Sequence, residues 1–425
     1  MTFSSPRLPK RDDCICLVRS MGLDVRAGGV VPSSHRAVAS RRWAAVFIVV
    51  AVIVVAAVGT AFLFSDHPNV SSAPSLLHSL ASPSPQWAEY FGDSVAISGG
   101  LAVVADDRRA PNATAGLADL YLYNATTGAL IRHLASPAVE FTGPHYASVA
   151  ISGDTVVAGA LYYPRNGSTI GLVYVFNATD GALTHILKDP NSQAVVEFGF
   201  KVAVAGDLLI TSSDASADVF NTQTGALVRE ITSPSAQSGG FGSSVAISGD
   251  LAVIGALDET VGGFSNAGSA YVFNVTTGAL VQPLENPYPN TNSQFGISVA
   301  IDGKTVLVSG YGHVYAFDET TGKMIRDFTS PDNSTNYFGT SIAISGGLAV
   351  IGETGPVAGH YAAGRTFVFD VQNGALLGNI SSPNSQVDGD FGASVSISGG
   401  FAIVGAPGEG NGGLSSSGRA YILRI

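Results

Sequence analysis

One pattern returns seven times between residue 91 and the C-terminus, and it leaves few folds open to the chain. Each copy begins with Phe-Gly, runs into an alternating apolar strand of the form S-V-A-I-S, turns at Gly-Asp or Gly-Gly, and continues as a second strand such as L-A-V-I-G-A. A loop of variable length follows, then a third strand (S-A-Y-V-F), an N-x-T-T-G turn, and a fourth strand ending in Ser-Pro or a close variant. The Phe-Gly pairs start at Phe91, Phe198, Phe241, Phe295, Phe338 and Phe391, and one further copy has His145-Tyr146 in that place. Successive starts lie 54, 53, 43, 54, 43 and 53 residues apart. Period-2 patterning with two tight turns makes each copy a small antiparallel sheet that cannot bury both faces alone, whereas stacking the sheets around an axis buries them. Four strands in a unit of this length is the pattern of a β-propeller blade. The last copy stops at Ile425 after its third strand, and the missing fourth is found ahead of the first copy, where residues 77–83 (LHSLASP) match residues 131–137 (IRHLASP). The expectation is an all-β, seven-bladed β-propeller of four-stranded antiparallel blades over residues 76–425, closed by an N-terminal strand.

Composition agrees with many short strands and tight turns. The chain has 51 glycines, and only 12% of its residues are charged; glycine supplies the positive φ that tight turns need. Charge is split unevenly. Eight Lys and Arg against three acids leave residues 1–64 at +5, so the remaining residues carry −16 of the chain's −11 total. An acidic body excludes a nucleic-acid partner, whose phosphates require a basic face. The two cysteines, Cys14 and Cys16, both precede residue 43, so the repeats contain no disulfide and depend on their own core.

Residues 43–64, opening on Trp43 and closing on Phe64, form a run of 22 without a charge. As a helix rising about 1.5 Å per residue this run spans the hydrocarbon core of a bilayer. A cleavable signal peptide has a shorter apolar region and a shorter basic lead than the 42 residues found here. Arg41 and Arg42 precede the run and Ser65, Asp66 and His67 follow it, so the positive-inside rule keeps the N-terminus in the cytoplasm and exports the rest. The expected organisation is a basic cytoplasmic tail (1–42), a transmembrane signal anchor (43–64), a Ser/Pro stalk (65–75) and the propeller (76–425).

Phe-Gly, an apolar strand, and then Gly-Ala-Pro, intact at Gly405-Ala406-Pro407 and as Gly-Ala at Gly159-Ala160 and Gly255-Ala256, resembles the FG-GAP repeats of integrin α-chain propellers. More closely it resembles the shorter bacterial-type variant, in which the first two strands meet in a tight Ser-Gly-Asp hairpin. The resemblance covers about residues 77–425. It implies the propeller fold and leaves the function open, since one scaffold hosts many unrelated sites. Integrin repeats carry a calcium loop between the first two strands, but here that connection is two residues in every copy, as at Gly153-Asp154, Gly206-Asp207 and Gly249-Asp250. Two residues cannot supply the six or more oxygens calcium takes, so no metal and no cofactor are expected.

In a four-stranded blade, the first-to-second and third-to-fourth turns share one rim, and the second-to-third loops share the other with the connections between blades. Only the second rim varies: its loops are long in five blades and almost absent in the third and fifth. Variable loops on a rigid scaffold are where binding resides. The candidate ligand-binding residues are therefore Tyr162, Tyr163, Asp106, Asp107, Asp258, Glu259, His360 and Tyr361, with His145, Tyr146 and Glu353 on the same rim. Aromatics beside carboxylates suit a glycan or a protein partner.

No metalloprotease H-E-x-x-H, phosphate-binding loop, exported cysteine or nucleophile elbow occurs, so no catalytic residue is assigned. Eight N-x-S/T sequons are possible glycosylation positions: Asn69, Asn112, Asn124, Asn166, Asn177, Asn274, Asn333 and Asn379. Asn124, Asn177 and Asn274 share one turn position, where Asx is ordinary turn chemistry. The functional expectation is a non-enzymatic, membrane-anchored binding or adhesion module for a glycan or protein. The alternatives are a carbohydrate-active enzyme with an axial pocket, or a structural surface or matrix component.

Overall fold

The structure is a computed structural model that describes residues 73–107, 119–135, 145–162, 170–191, 198–213, 216–237, 239–332, 337–355 and 362–425. The tail, the apolar run 43–64, most of the stalk, and Asn69, Asn112, Asn166, Asn333, Tyr163, His360 and Tyr361 lie outside these residues, as do the side chains of His145, Tyr146 and Tyr162. Among the described residues no helix is long and apolar enough to cross a membrane.

The described residues form one compact unit, in which 28 strands make seven four-stranded antiparallel sheets. Blade one is β2 (Val95–Ser98), β3 (Leu101–Asp106), β4 (Asp119–Asn124) and β5 (Leu130–Ala135). Blade two runs from β6 (His145–Ser152) to β9 (Leu183–Leu187), blade three from β10 (Val202–Ala205) to β13 (Leu227–Thr232), and blade four from β14 (Phe241–Ser248) to β17 (Leu280–Leu284). Blade five runs from β18 (Val299–Asp302) to β21 (Met324–Thr329), and blade six from β22 (Phe338–Ser345) to β25 (Leu376–Ser381). Blade seven contains β26 (Val395–Ser398), β27 (Phe401–Ala406) and β28 (Arg419–Arg424), and β1 (Ser75–Leu80) lies antiparallel against β28 as its outermost strand. First strands contact one another in ring order, β26 meeting β2. They alternate in length, four residues in odd blades and eight in even ones.

The core sits between blades. Seven apolar clusters each draw on two neighbouring sheets, such as Val253, Val272 and Leu284 of blade four with Val299, Val306 and Phe317 of blade five. Second and third strands are therefore buried on both faces, while fourth strands alternate (eeieBe in β5 and β13) and form the outer edge.

The repeat's fixed letters hold these seams. Each Phe of Phe-Gly is at most 2% exposed. In five blades it meets the third strand's ring edge-on, as Phe91 meets Tyr123 at 86° and Phe338 meets Phe369 at 88°. The glycine after it takes positive φ, +93° at Gly92, and its carbonyl abuts the preceding blade's Gly-Ala glycine: a Cβ on Gly405 would lie 1.9 Å from Gly92 O. Ser394 Oγ donates to that same carbonyl at 2.9 Å. At the end of the inner strand, the serine hydroxyl accepts from the next blade's turn glycine, as Ser152 does from Gly206 N–H (3.1 Å) and Ser398 from Gly99 N–H (3.4 Å). Basic fourth-strand side chains make an outer latch. Arg132, Arg229 and Arg326 donate to turn carbonyls of the following blade (Thr179, Thr276 and Gln372) and lie over its turn glycine, crowding the place a Cβ would take.

Candidate functional site

A concavity on the variable rim lies over blade five, where the second-to-third connection shrinks to Tyr311-Gly312. Gly310 pairs with His313, and Gly312 takes φ +79° to close the hairpin. A Cβ at Gly310 would press to 3.0 Å on Ser293 O and Phe295 Cα, so the hairpin packs directly onto the lead-in segment, and Tyr311 N–H donates to Ser293 O at 2.9 Å. With no loop in the way, a cavity of about 470 Å³ opens between Asn286, Tyr288, Asn290, Ser293, Tyr311, His313, Tyr315 and Asp327. That size suits a small-molecule or sugar site.

Rigid neighbours position each wall. Asn286 is buried and donates from Nδ2 to Ala267 O (2.9 Å) and Ser293 Oγ (3.0 Å), while its Oδ1 accepts from Tyr288 N–H. Ser293 Oγ accepts in turn from Asn290 N–H at 3.2 Å. The segment is thereby fixed, with Tyr288 58% and Tyr311 54% exposed. Across from them the His313 imidazole stacks on Tyr315 at 5.5 Å with 1° between planes, and its Nδ1 bonds Asp327 Oδ1 at 2.9 Å. Burial, with the Asp327 charge and Tyr288 adding, pushes the Tyr315 hydroxyl far above its ordinary range, so it stays neutral. The lining combines exposed aromatic faces, amides, one carboxylate and no Lys or Arg.

The sequence-level rim candidates do not assemble into this cavity. Asp106, Asp107, Glu259 and Glu353 are buried, at most 3% exposed, where solvent-facing rim contacts were expected. Glu259 accepts the Tyr271 hydroxyl at 2.7 Å, and Glu409 of blade seven accepts that of Tyr421 at 2.5 Å. Glu353 accepts from Ser330 Oγ and, at 2.9 Å, from Arg365, which also pairs with Asp332. These acids tie the loop bases to the third strands, a buried role that their sequence position hides. Asp258 is exposed beside Gly240. Tyr162 belongs to β7, paired with Ile170.

A second group of charges lies near the first strands. Asp93 of blade one influences both Lys201 of blade three and Asp390 of the neighbouring blade seven. Burial lowers the Lys201 amine, with Asp93 opposing, and burial with Asp388 and Asp93 pushes Asp390 up to about 6. Lys201 occupies a position where other blades carry serine, as at Ser94 and Ser394.

With the paired glycines and edge-on phenylalanines in view, the comparison is direct: a profile of the FG-GAP repeat family matches residues 231–273 and 380–423. The chain is a β-propeller that carries FG-GAP repeats. A search of curated protein sequences returns no match. Among solved structures, the β-propeller domain of Cps50 (Swd1) from Myceliophteria thermophila superposes with a TM-score of 0.54 at 11% identity, covering 83% of this chain and 99% of that domain. That likeness concerns the fold alone.

The FG-GAP calcium loop does not fit here. All seven first hairpins are two-residue turns, and among the described residues no three acids or histidines are grouped to hold a metal. Asn124, Asn177 and Asn274 accept turn N–H groups through Oδ1, from Thr126 and Thr127, from Thr179, and from Thr277 respectively. Asn379 is exposed on β25.

Proposed function

We propose that this FG-GAP propeller is a binding module anchored by residues 43–64, displayed outside the cytoplasm, and directed at a neutral glycan held over blade five. The observation that carries the reading is the pairing of Tyr288 and Tyr311, both more than half exposed on immobilised backbone, with His313, Asp327 and Asn290 around one cavity. Aromatic faces suit the apolar C–H face of a sugar ring, while imidazole, amide and carboxylate suit its hydroxyls. A lining with one carboxylate and no cation disfavours acidic sugars. In the same reading β1 is the clasp of the ring, because it supplies blade seven with the edge strand that every other blade draws from its own copy.

Glycan-array screening of the detergent-solubilised full chain tests the reading. Binding to neutral glycans that survives EDTA supports it, release of a shortened sugar points to the carbohydrate-active alternative, and no binding removes it. Protease treatment of intact membrane vesicles tests the topology, since the propeller and the 42-residue tail should be cut from opposite sides.

A further inference from the structure

We infer that blade one carries a second ligand site of the same chemistry, making the propeller bivalent for a neutral oligosaccharide; the inference rests on the reading of the blade-five cavity. In blade five the third strand begins His313-Val314-Tyr315, and Tyr315 faces Asp327 across the sheet. In blade one the third strand begins Asp119-Leu120-Tyr121, and Tyr121 faces His133. The two blades therefore hold the same trio with histidine and aspartate exchanged between strands. The geometry survives the exchange: His133 Nε2 bonds Asp119 Oδ1 at 2.7 Å, and its ring stacks on Tyr121 at 5.2 Å and 24°. Both imidazoles stand part-exposed on the variable rim, His133 at 46% and His313 at 38%.

Simple duplication of a blade would have left each residue in its own register position. Exchange with retention of the pair shows that what the two blades share is the chemistry: an imidazole laid flat on a buried ring, oriented through one nitrogen by a carboxylate, with its edge toward solvent. The remaining blades do not do this. Their corresponding positions hold pairs such as Leu172 with Ile186 or Ser269 with Pro283.

The lead-in segments agree. Before blade five, Asn286 and Asn290 converge on Ser293; before blade one, Ser82 Oγ and Gln86 N–H donate to Glu89, each at 2.7 Å. Both segments present an exposed aromatic, Tyr288 at 58% and Trp87 at 57%. Each of the two blades thus carries an exposed aromatic in its lead-in and an oriented imidazole on its rim, three blades apart around the ring.

Titration calorimetry of the full chain with maltohexaose, cellohexaose and chitohexaose, one at a time, tests this. The expected result for at least one probe is two sites per chain, falling to one in His133→Ala, to one in the double variant Tyr311→Ala/His313→Ala, and to none in the combination. The exchange variant Asp119→His/His133→Asp, which copies blade five into blade one, should restore two. On a surface dense in the probe, each one-site protein should lose about 100-fold in apparent affinity. One site that His133→Ala leaves untouched overturns the second site while leaving blade five standing. No binding by any probe overturns the blade-five reading and this inference with it.

Discussion

Gly405 of blade seven and Gly92 of blade one meet backbone to backbone, so that a Cβ on Gly405 would fall 1.9 Å from the Gly92 carbonyl and 2.4 Å from Ser394 Oγ. The same apposition recurs between Gly159 and Gly199, Gly255 and Gly296, and Gly352 and Gly392. The two glycines of the repeat are thus halves of one contact made in different blades. Gly405→Ala should separate the sheets and destabilise the fold by about 1–3 kcal/mol or more. Gly412→Asn, on a loop where nothing lies within 4 Å and φ is +61°, should cost little. Urea unfolding of both variants checks the contrast; equal losses would deny the seam its role.

Removing either exposed tyrosine of the cavity should weaken binding without disturbing the sheets. Tyr288→Ala and Tyr311→Ala are each expected to reduce affinity for a bound neutral glycan by about 10- to 100-fold, in the range of aromatic anchors, with thermal midpoints unchanged. Unaltered affinity in both variants would move the ligand elsewhere on the ring.

Blade three departs from its neighbours at Asp218, which sits where the other third strands place Tyr121, Tyr174, Tyr271, Tyr315, Phe367 and Tyr421. Its side chain is 1% exposed with neither oxygen hydrogen-bonded, and burial, with the Glu230 and Asp189 charges adding, pushes its carboxyl up to about 7. The unfolded chain releases that proton near pH 4 and the folded chain only near pH 7. This group's contribution to stability is therefore fully present below about pH 4 and declines as the pH rises toward 7. Asp218→Asn should gain up to about 3 kcal/mol more over the wild type at pH 7.5 than at pH 5. Chemical unfolding at the two pH values checks the sign, and an identical difference at both would contradict it. Asp218→Tyr should fill the slot and raise the melting temperature.

Loss of β1 should cost more than its six residues suggest. A chain beginning at residue 83 lacks the partner of Arg419–Arg424, and with it the His78 bond to Thr126 O that latches blade seven to blade one. Compared with a chain beginning at residue 73, it should melt markedly lower and over a broader range. Matching melting curves would show that the ring holds without the clasp.

The ring of blades was legible because Phe-Gly, the Ser-Gly-Asp hairpin and the Asn-x-Thr-Thr-Gly turn are local backbone requirements, and local requirements leave letters in fixed places. The blade-five cavity was not legible by the same means. Loop length is what the sequence displays, whereas the cavity exists because Tyr311-Gly312 is short and because Tyr288, from the connection before the blade, leans into the space. Only the near-absence of a second-to-third loop in the fifth blade pointed toward it. Glu259 and Glu353 misled for the complementary reason: an acid at a strand end looks solvated until the tyrosine or arginine that buries it is known. The exchanged His–Asp pair needed the strand register, since nothing in linear spacing says that Asp119 and His133 touch.

First strands of four and eight residues alternate around the ring, and seven is an odd number. A two-blade period cannot close on an odd count, so it must slip once, and it slips where blade seven meets blade one, both with four-residue first strands. The molecule therefore has a single phase defect, positioned where its chain ends meet. Blades one and five fall in the same phase, but the two-residue Tyr311-Gly312 connection sets the rim of blade five apart from that of blade one, whose connection runs from Asp106 to Asp119; a ligand spanning both would meet two different faces and could engage them in only one orientation.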